Sequence, residues 1–226
     1  MDTDRQELTV SGRKVTVFPS EGRISPLVVL NTFGNEGVDV HDSILSMTDM
    51  DCTFIAVQID DWNSSMSPWP ADVGMKGGIF TGGADGYINE LTGTIVPEVE
   101  GRLDIIPSRR IIAGYSMAGL FSVYSLFRTD LFDRAVSASG SLWFPGFVDY
   151  VSKNRLKGDV DRIYLSLGDR EPRTRNVNMS SVLDCTEKIR GMLSEQCGDV
   201  RMVMEKGNHF EDVAGRIARG IVSALI

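Results

Sequence analysis

Histidine is nearly missing from this chain: two in 226 residues, His41 and His209. Any chemistry that needs an imidazole has only those two to draw on. Cysteine is scarce as well. Cys52, Cys185 and Cys197 are an odd number in no metal-ligand spacing, which sets aside a thiolate metal site and a disulfide framework. Free thiols in a reducing, cytoplasmic setting are the expectation. Positive charge falls short of negative, 23 Lys and Arg against 31 Asp and Glu, for a net charge of −8. That balance argues against nucleic acid as a partner and gives no help to a polyanionic substrate. No apolar run approaches the roughly 20 residues of a membrane span. The charged start, M-D-T-D-R-Q-E-L, lacks the apolar segment of a secretory signal. Linker tracts and repeats are absent too. With 42% hydrophobic residues, positions 1–226 read as one domain with a full core.

What is present is a steady alternation of strand and helix patterns. Residues 8–18 alternate apolar and polar around Ser11-Gly12, an edge hairpin. The apolar run 26–30 predicts a central strand, followed by a tight loop 31–35 and a short helix over 41–48. Residues 54–59 form the next buried strand, and a polar, proline-broken loop carrying Trp62 and Trp69 follows it. Tyr87, Ile88, Leu91, Ile95 and Val99 recur at helical spacing, so 85–101 is an amphipathic helix. Pro97 removes the bond to the carbonyl of Gly93 and predicts a kink. Strands follow at 111–113, 135–138, 162–167 and 200–204. A long helix is marked by Met179 to Leu193, and a closing one by Val213, Ile217, Ile221 and Leu225. This order calls for an α/β fold, a mostly parallel sheet of about eight strands with helices on both faces.

Residues 109–127 concentrate the chemistry. A buried strand breaks at Gly114-Tyr115-Ser116-Met117-Ala118-Gly119, and an apolar helix starts at once. Strand, sharp turn and helix around a serine make a nucleophile elbow, where the serine backbone is strained and small residues two before and two after it avoid a clash. Gly114 and Gly119 suit that crowding, while Ala118 stands where a second glycine is usual. A serine hydroxyl is a poor nucleophile until a base takes its proton. His209 follows the last strand, in the order nucleophile, acid, base of an α/β-hydrolase. His41 precedes the serine on an expected surface helix and reads as structural or solvated. For the acid, Asp169 and Glu171 both follow the strand 162–167. Asp169 directly follows a glycine and is open to capture by the turn, so Glu171 is favoured for its longer reach, with Asp169 as the alternative. An oxyanion needs two backbone donors. One is expected from Met117 and the other from Phe33, or from Thr32 or Gly34 with a small shift.

Four segments in order, G-Y-S-M-A-G-L-F, S-G-S-L-W-F-P-G-F, G-D-R-E and G-N-H-F, make the chain resemble the family named “Putative esterase”. That family is related to the enterochelin (ferric siderophore) esterases and the esterase D-like branch of the α/β-hydrolases. The likeness runs from about residue 26 to the end. It implies a Ser–His–acid esterase with an eight-stranded sheet, needing no metal or cofactor. In the family the acid usually stands three residues after the glycine, which is Glu171 here, and some relatives work with a Ser–His dyad. Ala118 departs from the pattern, and the N-terminal recognition domain of the enterochelin esterases is not expected in this chain. Trp62, Trp69, Trp143 and Phe144 fall in loops expected to border the same sheet edge, where rings could stack on an aromatic or sugar-like acyl group. No long insertion follows Leu142, so an open cleft and small substrates are expected. The leading expectation is hydrolysis of small-molecule carboxylic esters. An acyltransferase on the same residues and a non-catalytic binding protein are the alternatives. The oligomeric state and the natural ester are open.

Overall fold

The computed structural model describes residues 5–74 and 79–226; the charged start at 1–4 lies outside them. One eight-stranded sheet forms the centre, built from β1 (Gln6–Val10), β2 (Arg13–Phe18), β3 (Ile24–Thr32), β4 (Thr53–Gln58), β7 (Ile106–Tyr115), β8 (Arg134–Ala138), β9 (Arg162–Gly168) and β10 (Asp199–Glu205). The spatial order is β1-β2-β4-β3-β7-β8-β9-β10. β1 pairs antiparallel with β2, and β2 antiparallel with β4, while every pairing from β4 to β10 is parallel. The parallel strands read as continuous apolar runs because helices bury both of their faces. Along β3, Leu27 and Val29 enter one core and Val28 and Leu30 the other. The larger core lies under α3 (Ala84–Glu90), α4 (Val96–Leu103), α5 (Met117–Ser125), α6 (Phe147–Lys153) and α8 (Val182–Ser194). The smaller one lies under α1 (Glu36–Met47) and α9 (Val213–Leu225).

The expected strands are all present, with one or two residues added at most ends and more at the start of β7. The helices depart further. α1 starts at Glu36, five residues before the expected helix, with Glu36 and Asp39 favouring the positive end of its dipole. The loop after β4 contains a four-residue helix, α2 (Trp62–Ser65), and a small antiparallel ribbon of β5 (Pro70–Asp72) and β6 (Ile79–Thr81). The helix expected over 85–101 runs without interruption from Ala84 to Leu103. A π turn at Leu91–Ile95 precedes Pro97, which sits in the first turn of α4, where a missing N–H costs no helical bond. The long helix near Met179 divides at Ser181 into α7 (Val177–Ser180) and α8, and Asn176 caps α7 by accepting from the amides of Asn178 and Met179.

Candidate active site

β3 passes the chain to β4 on one side, while β7 lies on its other side, so the winding direction reverses between the carboxyl ends of β3 and β7. Ligands of open α/β sheets sit in that crevice. Ser116 stands there, between the end of β7 and the start of α5, with φ 56° and ψ −118°, a strained geometry for a residue with a side chain. The crowding expected of an elbow is measurable at Gly114, where a Cβ would come within 2.3 Å of the Ala118 carbonyl. The Ser116 amide donates to Ala138 O at 3.1 Å, and its carbonyl accepts from the Leu120 and Ser141 amides at 3.0 and 2.9 Å. Three anchors thus hold the strained turn.

His209 follows β10. Its Nε2 lies 3.1 Å from Ser116 Oγ and its Nδ1 2.8 Å from Glu171 Oε2. The Tyr115 hydroxyl donates to the His209 carbonyl at 2.8 Å, which fixes the loop carrying the ring. Glu171 is almost fully buried, and its other oxygen accepts from the Gly168 amide at 2.8 Å and from Arg216 Nη1 at 3.0 Å. Burial pushes the Glu171 carboxyl up, but the hydrogen bond and charge of His209, with the Gly168 amide and the Ser139 hydroxyl, outweigh it and hold the group below its ordinary value. Asp169 takes the other path open to it. Its Oδ1 accepts from the Gly207 amide at 2.9 Å and so ties the turn after β9 to the turn after β10. The structure therefore brings Ser116, His209 and Glu171 into one hydrogen-bonded line and leaves Asp169 in the turn. A line of that kind can move a hydroxyl proton onto an imidazole held by a carboxylate.

Met117 opens α5, so its amide is among the helix N–H groups without an intrahelical partner. Phe33 directly follows β3, and its ring is 65% exposed, meeting Trp62 edge-on at 5.6 Å. The loop between β3 and α1 is braced from inside. Thr32 Oγ1 donates to Gly34 O at 3.0 Å, and the Gly34 amide donates to Glu36 Oε2 at 2.7 Å. A cavity of about 130 Å³ opens beside Ser116, lined by Phe33, Trp62, Tyr115, Val213 and Ile217 among others.

Of the four aromatic residues expected to border the cleft, Trp62 alone lines the serine cavity. Phe144 is only 1% exposed and packs against Trp69 and Phe80, so no face of it is open to a ligand. Trp69 is half-buried among Tyr124, Phe144, Phe147 and Tyr150, with its indole N–H donating to Pro145 O at 2.8 Å. Trp143 is half-buried against the same core. The loop after β4 folds down onto α5 and α6, so Trp69, its second tryptophan, packs against the core. His41 is not solvated. It is 7% exposed and stacks on Phe18 at 3.8 Å, and burial lowers its pKa. Among the described residues no group of His, Cys, Asp and Glu is placed to hold a metal, and no helix is long and apolar enough to cross a membrane. Tyr115, Glu36 and Arg216 were not singled out by sequence. Arg216 carries a signal in hindsight: it lies on the apolar stripe of α9, three residues after Val213 and four before Gly220.

A family model described as “Putative esterase” matches residues 35–198. Among curated proteins, the chain is 24% identical over 146 residues to the uncharacterized protein YbbA of Bacillus subtilis (strain 168), covering 63% of this chain and 58% of that protein. The match thus spans less than two thirds of that relative's length. Among solved structures it is similar to the siderophore hydrolase EstB from Aspergillus nidulans, with a TM-score of 0.79 and 16% identity, covering 100% of this chain and 95% of that one. An IroE-like serine hydrolase from Shewanella oneidensis superposes with a TM-score of 0.76 and 17% identity, over 98% and 80% of the two chains. At these identities the likeness establishes the α/β-hydrolase sheet.

Proposed function

The chain belongs to this Putative esterase family of carboxylic ester hydrolases, and on that premise we propose that it cleaves esters through an acyl-Ser116 intermediate. The observation that carries the reading is the continuous line from Ser116 Oγ through His209 to Glu171, at 3.1 and 2.8 Å. Ser116 Oγ attacks the ester carbonyl carbon while His209 Nε2 takes its proton. The carbonyl oxygen, now negative, is held by the amides of Met117 and Phe33. His209 then gives the proton to the departing alcohol, and water repeats the sequence to free the acid. Glu171 accepts from Nδ1–H throughout, holding the ring and stabilising the imidazolium without taking the proton.

The cavity favours small esters and aromatic ones. About 130 Å³ beside Ser116 holds a short acyl group, and the Phe33 and Trp62 rings at its mouth offer flat apolar faces. The EstB neighbour, named a siderophore hydrolase, extends the candidates to siderophore-like esters. A fluorophosphonate probe tests the nucleophile. We expect one label per chain, on Ser116, and Ser116→Ala to reduce hydrolysis of p-nitrophenyl acetate to the solvent rate with the fold intact. Labelling elsewhere, or turnover by Ser116→Ala, removes the assignment.

A further inference from the structure

Arg216 is the largest fully buried side chain among the described residues, at 0% exposure, and it projects from α9 beneath the ends of four strands. Nη1 donates to Glu171 Oε1 at 3.0 Å, to Ser139 Oγ at 3.0 Å and to Tyr115 Oη at 3.3 Å. Nη2 donates to the Lys206 carbonyl at 3.0 Å. Tyr115 ends β7 beside Ser116; Ser139 follows β8; Glu171 follows β9; Lys206 follows β10 and leads to His209. One guanidinium therefore touches every segment that delivers a member of the Ser116–His209–Glu171 line. The surroundings are shaped for it. A Cβ at Gly168 would meet Nη2 at 2.9 Å and Nη1 at 3.0 Å, and Ser139, one of its acceptors, is held at a left-handed φ of 46°. Nε is left without a partner. A buried ion pair is weak evidence for stability, since apolar packing of the same volume commonly does as well. A half-satisfied guanidinium touching the histidine's carboxylate is better explained by what it does to that carboxylate.

We propose that Arg216 is a positioning residue for ester hydrolysis, fixing the rotamer of Glu171 with one oxygen on His209 and balancing part of its charge. The proposal rests on the reading of Glu171 as the acid. The fork acts in two separable ways. Its geometry holds Oε2 toward His209 Nδ1, and its charge limits how strongly Glu171 favours the protonated ring. The other titratable groups around the pair are Tyr115 from β7, Asp169 beside Glu171, Lys206 at the end of β10, and the exposed Arg170–Glu211 pair. None of these offers a second cation within bonding distance of Glu171 among the described contacts. Removing Arg216 thus leaves the carboxylate facing His209 alone.

The test uses the whole chain with p-nitrophenyl acetate, counting competent sites by fluorophosphonate titration so that misfolded protein drops out. Arg216→Met removes both charge and fork. We expect kcat per competent site to fall by about tenfold to a hundredfold with KM within about twofold. The acid limb of kcat/KM should also move up by about half a pH unit or more, as an unbalanced carboxylate favours the imidazolium. Arg216→Lys keeps the charge and loses the fork, so kcat falls while the acid limb stays in place. A wild-type kcat and pH profile in titrated Arg216→Met overturns the proposal. Should that variant yield no competent sites, an undiminished kcat in Arg216→Lys overturns it instead. Failure of the underlying reading looks different: a harmless Glu171→Gln, or wild-type Ser116 that does not label.

Discussion

Asp169 and Glu171 leave the same turn after β9, yet they are held by different groups and should respond differently to amide substitution. Asp169 accepts from the Gly207 backbone, and an amide oxygen serves that bond nearly as well. Glu171 faces an imidazole nitrogen on one oxygen and a guanidinium on the other. We expect Glu171→Gln to lower kcat by at least about 10², short of the roughly 10⁴ seen for such a change in serine proteases. Asp169→Asn should lose less than about tenfold. The reverse ranking would hand the role to Asp169, and small losses from both singles and the double would indicate a Ser116–His209 dyad. Because Arg216 loses its charged partner, Glu171→Gln should also cost stability, up to about 3 kcal/mol, so rates have to be counted per competent site. The sequence made Ser116 and His209 legible through their spacing and their scarcity. It ranked the acids by reach, by the turn that could capture Asp169 and by the family position of Glu171. It was silent on Arg216, because a charge on an apolar helix stripe has meaning only once the strand ends beneath it are known.

At the scale of elements, the elbow is where sequence and geometry agree most closely, since its requirement is steric and local. Gly114 is the sharp case. A methyl there would lie 2.3 Å from the Ala118 carbonyl carbon and oxygen, backbone atoms that cannot swing aside. Gly114→Ala should therefore open the turn, at a cost of about 1–3 kcal/mol, and lower the thermal midpoint by several degrees while slowing Ser116 acylation. A midpoint and labelling rate equal to wild type would show that the turn has slack. Ala118 is tolerated because it is already that neighbour, fully buried with its methyl accommodated. The helices were less legible for physical reasons. α1 reaches back to Glu36 because Gly37 lets it approach β4, where a Cβ would come within 2.3 Å of the Ala56 methyl. Pro97 falls in the first turn of α4, just after a π turn that propensity alone does not announce. Neither contact leaves a trace in apolar periodicity.

Over the whole molecule, the alternation of strand and helix announced a parallel sheet with two covered faces, but the neighbours of each strand depended on contacts far apart in sequence. Some of those contacts are guanidinium bridges that fasten α9 to the sheet. Arg134 and Arg162 donate to the carbonyls of Ala224 and Ser223 while pairing with Asp161 and Asp199, and Arg219 pairs with Glu205 and Asp212. This predicts how stability depends on pH. Burial raises the carboxyl of Glu171, but His209 and its other donors pull it lower still; at Asp61 the bonds from Ser65 and Arg13 likewise exceed burial. Hydrogen bonds from Arg201 and Arg162 hold Asp199 low. A carboxyl depressed in the folded state adds stability above its unfolded pKa, near 4, and loses it as pH falls through the folded value. Working against this, acidification from neutral first titrates the net charge of −8 toward zero and eases self-repulsion. The thermal midpoint should then be nearly level from about pH 7 to 5 and fall steeply below about pH 4, where protonation of the paired carboxylates and growing positive charge act together. Glu171→Gln lacks one of the depressed groups, so it should start lower at neutral pH and converge on wild type as the acid fall proceeds. Calorimetric or circular-dichroism melts at half-unit intervals from pH 3 to 7 measure both curves. Curves that stay parallel down to pH 3 would mean that Glu171 is not held low in the folded protein, and that the buried Arg216–Glu171–His209 contacts do not help to hold the sheet ends together.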